Sequence, residues 1–174
     1  LSRAPRPGYA ALALLDSLQP TGITTLVLDP YGLTPALGAA AAVLPMVTVQ
    51  VLESGSFVSL GTVVSPLGGG RAGRPVARVK LEREGQPALE GEVRLGQLVV
   101  LPLGQGEIGR LTLRPERGFD VGFGAYGKAG TLKVTGGAVG LIIDARGRPL
   151  ALPKDAGRRR ELNQKWLLDI GALQ

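Results

Sequence analysis

The sequence predicts an α+β fold that is mainly β: a small barrel or sandwich of short strands, preceded by a helix–strand–helix segment and followed by a helix. Three observations lead there. After Pro45 the apolar residues recur with period two in short runs separated by Gly, Pro or Ser clusters. Before it, two Ala- and Leu-rich stretches flank one β-branched run, and at the far end Leu162, Trp166, Leu167 and Ile170 form a stripe at helical spacing. With 174 residues the chain is long enough to bury a core without staples.

Tyr9 to Leu18 is apolar on nearly every face and reads as a buried helix, stopped by Gln19-Pro20-Thr21-Gly22. Thr24 to Leu28 reads as a short core strand ending at Asp29-Pro30. Thr34 is placed to cap a second helix with Pro35 at its first position, continuing through Leu37-Gly38 and four alanines to Leu44. Its small residues suit close packing on a sheet or helix. No charge occurs from Tyr31 to Leu52, but Pro35, Gly38, Pro45, Thr48 and Gln50 argue against a membrane span; a buried helix followed by a core strand is expected. Strands are predicted at Met46–Leu52, Phe57–Val64, Val76–Leu81, Val93–Leu101, Ile108–Leu113, Thr131–Val134 and Val139–Asp144. Asp155 is a plausible cap for the last helix, with Arg158, Arg159 and Arg160 on its first turns and Trp166 as an anchor. The organisation expected is thus 1–45, helix–strand–helix, and 46–174, a β-rich barrel-like domain with the final helix.

An internal repeat supports the β assignment. Val63 to Arg74 aligns without gaps on Val99 to Arg110 at an offset of thirty-six residues, matching at eight of twelve positions. That offset is the size of one strand–turn–strand unit, so two equivalent units are expected to pair.

Composition narrows the chemistry. There is no His and no Cys, which removes the commonest general base, the commonest nucleophile and the soft metal ligands, and no metal site or cofactor is expected. Without disulfides a cytoplasmic setting fits. One Asn and one Met suit either a thermophile or a GC-rich genome. The chain begins at Leu1 without an initiator Met and reads as part of a longer protein; the run Ala10–Leu15 lacks the flanks of a signal peptide. Charge is uneven: residues 1–70 hold two basic and three acidic residues, whereas the remainder holds eighteen and eleven. The excess points either to an acidic partner or to a solvated surface on which arginines pair with Glu82, Glu84, Glu90 and Glu92. Seven aromatics offer few stacking platforms, so nucleic acid is not an expected partner.

Two motifs are candidate ligand sites. In Gly118–Gly130, Asp120, Gly122, Gly124 and Gly127 allow either a nest of backbone N–H groups with Lys128 supplying charge, or simply a tight β-turn region; no Gly-Lys-Ser/Thr ending is present. In Ile142–Leu150, Arg146 and Arg148 either clamp an external anion or pair with Asp144. Asp120 and Asp144 would converge if their strands neighbour, but no residue qualifies as catalytic, and the serines sit in no nucleophile elbow.

Asp29 to Ala42, Leu60 to Gly68 and Gly140 to Leu150 together resemble the C-terminal region of glutamate mutase L proteins, members of the actin-like ATPase superfamily. The resemblance runs from about Gln19 onward. It implies that Pro35–Leu44 is similar to the closing helix of an actin-like domain with a β domain appended, that the nucleotide site lies outside this chain, and that the partner is a cobalamin-dependent mutase. The expected function is therefore a non-catalytic module for protein interaction or assembly; the alternative is a small anion- or nucleotide-binding barrel using the Gly118–Gly130 loop.

Overall fold

The computed structural model describes residues 3–173. In chain order the elements are α1 (Pro7–Leu18), β1 (Gly22–Leu28), α2 (Thr34–Ala41), α3 (Pro45–Glu53), β2 (Val58–Ser65), β3 (Leu67–Gly68), β4 (Pro75–Arg83), β5 (Gln86–Arg94), β6 (Leu98–Leu101), β7 (Ile108–Pro115), β8 (Phe119–Asp120), β9 (Gly130–Thr135), β10 (Leu141–Asp144) and α4 (Ala156–Asp169). The fold is α+β and mainly β. Two open four-stranded sheets, ordered β1-β2-β10-β6 and β5-β4-β7-β9, face each other, and β3 with β8 forms a small ribbon beside them. Of the two architectures expected, this is the sandwich: neither sheet closes into a barrel.

The inner strands of the first sheet, β2 and β10, are buried on both faces. Val64, Leu141 and Ile143 meet Val79, Leu81, Leu111 and Leu113 of the second sheet, whereas Leu60, Val63, Leu98 and Ile142 meet Ala11, Leu15, Trp166 and Ile170 of α1 and α4. That explains why β10 reads Leu-Ile-Ile-Asp, an apolar run without alternation. β10 lies parallel to β2 and antiparallel to β6. Because β1 pairs with β2 along its whole length and α1 shares a core with α4, packing crosses the expected division at residue 45.

The repeat is visible as pairing. β4, which follows the first copy, and β7, which begins at the end of the second, are antiparallel neighbours, while β2 and β6 flank β10. Gly61, in β2, comes against the Gly140 backbone: a Cβ on Gly61 would stand 1.8 Å from the Gly140 carbonyl oxygen, at φ +133°. Only glycine permits that approach.

Several local expectations are corrected. Met46–Leu52 lies in α3 rather than a strand: Pro45 starts a helix in which the Leu44 carbonyl accepts from the N–H groups of Val47 and Thr48. The β-branched pattern is overridden because no strand is there to pair with it. Neither α2 nor α3 has a buried residue, so the buried helix expected here is an exposed one. Thr34 is not the cap of α2. Asp29 serves instead, accepting from the Thr34 N–H at 2.8 Å, the Thr34 hydroxyl at 2.7 Å and the Tyr31 N–H. Val93–Leu101 divides into the end of β5 and β6 around a turn. The rest of β5 is an addition: Gln-Pro-Ala-Leu-Glu-Gly-Glu lacks strand-forming residues but sits on an edge, where Pro and charge are tolerated. Asp155 does cap α4, accepting from the Arg158 N–H at 2.8 Å, and Trp166 is its buried anchor.

Gly61→Ala should cost about 2–6 kcal/mol in denaturant unfolding, from positive-φ strain plus overpacking. Gly38→Ala, mid-helix with no heavy atom within 4 Å of its added Cβ, should instead add about 0.5–1 kcal/mol. Equal effects would contradict this account of the Gly61–Gly140 approach.

Candidate functional site

Both predicted ligand motifs lie at one end of the first sheet. Gly22 opens β1 opposite Ser65, the last residue of β2, and β10 runs parallel to β2, so Asp144 ends there too. β3 then leaves β2 to pair with β8, which carries Asp120. Gly122 packs against Gly22 and Ile23, and the Arg148 Nε donates to the Pro20 carbonyl at 3.0 Å.

The Asp144 cluster is an internally neutralised charge junction. Asp144 is fully buried because both faces of β10 are covered. Its Oδ1 accepts from Arg146 Nε at 2.9 Å and its Oδ2 from Arg146 Nη2 at 2.9 Å, a bidentate pair, and Arg148 Nη2 also donates to Oδ2. The Arg146 guanidinium lies 4.7 Å from the Trp166 ring centroid. Its Nη1 is 2.8 Å from Asp16 Oδ1 on α1, a close ionic contact rather than a directed hydrogen bond. Burial pushes the Asp144 carboxyl upward, but hydrogen bonds and charge from Arg146, then Arg148, prevail and hold it below its usual range. Arg146 is driven the other way: burial lowers it, and Asp144 and then Asp16 more than offset this. Two arginines matched by two aspartates leave no free clamp for an external anion, and a carboxylate so held is a poor base.

The Gly118–Gly130 loop is built as turns. Asp120 Oδ1 accepts from the N–H groups of Gly122 at 2.8 Å and Phe123 at 3.1 Å, so it satisfies its own loop. The Gly127 N–H donates to the Phe119 carbonyl at 2.8 Å. Gly122, Gly124 and Gly127 all take positive φ, and Gly124, Gly127 and Lys128 are exposed. Of the three cations expected to bind an anion, Lys128 alone is outside an ion pair among the described residues. Asp120 and Asp144 share an end of the sheet, but each is committed to its own partners. No group of three or more His, Cys, Asp or Glu able to hold a metal occurs among the described residues.

The pattern of the sequence did not show that the α2–α3 pair is exposed. Val43, Leu44, Met46, Val47, Val49 and Leu52 are exposed, Val43 by 77% and Met46 by 69%. The uncharged run from Tyr31 to Leu52 was the available signal; pattern alone placed it in the core. No helix among the described residues is long and apolar enough to cross a membrane.

Asp144→Asn leaves Arg146 buried without its bidentate partner, with only the Asp16 contact remaining, and should cost about 3–5 kcal/mol in urea unfolding. Because Asp144 is held below its usual value of 3.8, the unfolded chain binds the proton more tightly. Its contribution is therefore present above that value and lost as pH falls through the folded pKa; Asp144→Asn should flatten this acid limb of the stability–pH curve, and an unchanged limb would count against the assignment. No family model matches the chain, no curated protein matches it, and no solved structure matches it.

Proposed function

We propose that this chain is a non-catalytic interaction module of a glutamate mutase L-like protein, working in the cytoplasm and docking a protein partner through the α2–α3 pair. The observation that carries this reading is a pair of short helices without one buried residue, which with the turn between them bear six exposed large apolar side chains and no charge between Tyr31 and Leu52. Apolar surface so concentrated marks an interaction site, and each of these side chains offers about 1.5–3 kcal/mol on full burial, before the costs of association. Asp29 holds the start of α2 in place, so little ordering remains to be done on binding. The resemblance supplies the partner: a subunit of a cobalamin-dependent mutase.

The alternative, anion binding at Gly118–Gly130, is disfavoured by the engagement of Arg146 and Arg148 with Asp144 and of Asp120 with its own loop.

Immobilised chain should retain a purified cobalamin-dependent mutase subunit. Leu44→Glu combined with Val47→Glu should weaken that binding at least about tenfold while leaving the melting temperature within about 2 °C, as expected for exposed positions at an interface. Loss of the effect, or no binding by the unaltered chain, would refute the reading. So would ATP hydrolysis by this chain that Asp120→Ala abolishes.

A further inference from the structure

We propose that Arg78 and Arg114 form a binding site for the phosphoryl group of a small phosphorylated molecule on the outer face of the β5-β4-β7-β9 sheet. This site is separate from α2–α3 and from the Asp144 junction, and it stands whether or not the interaction reading does.

Residue alternation puts the two side chains together. Ala77, Val79, Leu111 and Leu113 face the core, so Arg78, Lys80, Thr112 and Arg114 point outward. In the β4–β7 register Arg78 lies directly opposite Arg114. The two also stand thirty-six residues apart, the offset of the sequence repeat, four residues beyond the ends of its two copies.

Like charges directly opposite on a sheet are destabilising, and although Glu92 stands across from Arg78 on β5, its ion pair is with Arg94. Lys80 is paired with Glu82 and Glu90, and Glu92 with Arg94. Arg78 and Arg114 have no ion pair and no hydrogen-bond acceptor among the described residues, and Glu84 forms no ion pair either. They line a groove of about 470 Å³ with Lys80 and Thr112 on its floor and Glu90 and Glu92 along one side. That volume suits a small molecule. The acidic side interrupts the positive surface, which a nucleic-acid strand would need to be continuous. Two forked, planar donors from directly opposed positions lining one groove match the several oxygens of a phosphoryl dianion. Arg110 and Lys133 also oppose each other, in a neighbouring depression that Glu82 and Glu84 share; they make a control of similar charge without the arginine pair.

Isothermal titration of the full chain at low ionic strength, with inorganic phosphate and with glycerol 3-phosphate, tests the site. Both should bind, with succinate at equal concentration at least tenfold weaker. Arg78→Gln and Arg114→Gln should each weaken phosphate binding at least tenfold, whereas Arg110→Gln and Lys133→Gln should change it less than twofold. Without ligand, Arg114→Gln should raise the melting temperature by about 1–3 °C as the repulsion is relieved. Absence of binding up to 10 mM phosphate, equal losses from Arg110→Gln and Arg78→Gln, succinate binding as well as phosphate, or a lower melting temperature for ligand-free Arg114→Gln would each overturn the proposal.

Discussion

The buried Asp144–Arg146 pair is the junction on which the α-helical layer depends. Asp144 ends the central strand β10, Arg146 carries its charge outward beneath Trp166 of α4, and Asp16 of α1 meets the far side of the same guanidinium. Arg148 extends the junction to the Pro20 carbonyl, and Gln19 accepts from the Leu150 N–H, so the turn after α1 is tied to the chain leaving β10. One acidic side chain thus sets the relation of two helices and one sheet. Apolar packing alone would let α1 and α4 slide over Val63 and Ile142. A bidentate pair in a dry setting fixes the register, because any displacement leaves a buried charge uncompensated.

The sandwich has a second organising constraint in its repeat. Two copies of a strand–turn–strand unit pair through β4 and β7, and their leading strands β2 and β6 are both satisfied by β10, parallel on one side and antiparallel on the other. A strand flanked in this way is paired along both edges and covered on both faces, which is why its sequence is wholly apolar until Asp144. The same near-symmetry has an energetic consequence on the outer face. There Arg78 and Arg114, separated by the same thirty-six residues, stand directly opposite each other across β4 and β7.

Much of the β architecture was legible because it rests on local pattern. Period-two runs at Val76–Leu81 and Ile108–Leu113 are strands with one face in the core, and the thirty-six-residue offset anticipates their pairing. What the sequence did not disclose is non-local. β5 is a strand because β4 offers an edge, not because Gln-Pro-Ala-Leu favours extension. α3 is a helix because Pro45 starts it and no strand is at hand, despite alternating valines. At the candidate site, the choice between a free clamp and an internal pair for Arg146 depends on Asp144 being buried on both faces, and the role of Asp16 on a helix more than a hundred residues away in the chain. Composition around Asp144 cannot express either fact.

The exposure of α2 and α3 is itself a consequence of how the core is closed. α1 and α4 already cover the outer face of the inner strands β2 and β10, and the second sheet covers the other, so the core is closed without α2 and α3. The chain nevertheless holds them in a definite place: β1 is paired along its length, and Asp29 immediately after it accepts hydrogen bonds from Tyr31 and twice from Thr34. Led by the Thr34 hydroxyl, these bonds lower the Asp29 carboxyl to about 2, so it stays ionised and the bonds persist across the physiological range. An apolar segment left without a role would be expected to hang from a flexible linker. This one is presented on a braced mount, and a surface both apolar and pre-positioned suits association better than it suits the isolated chain.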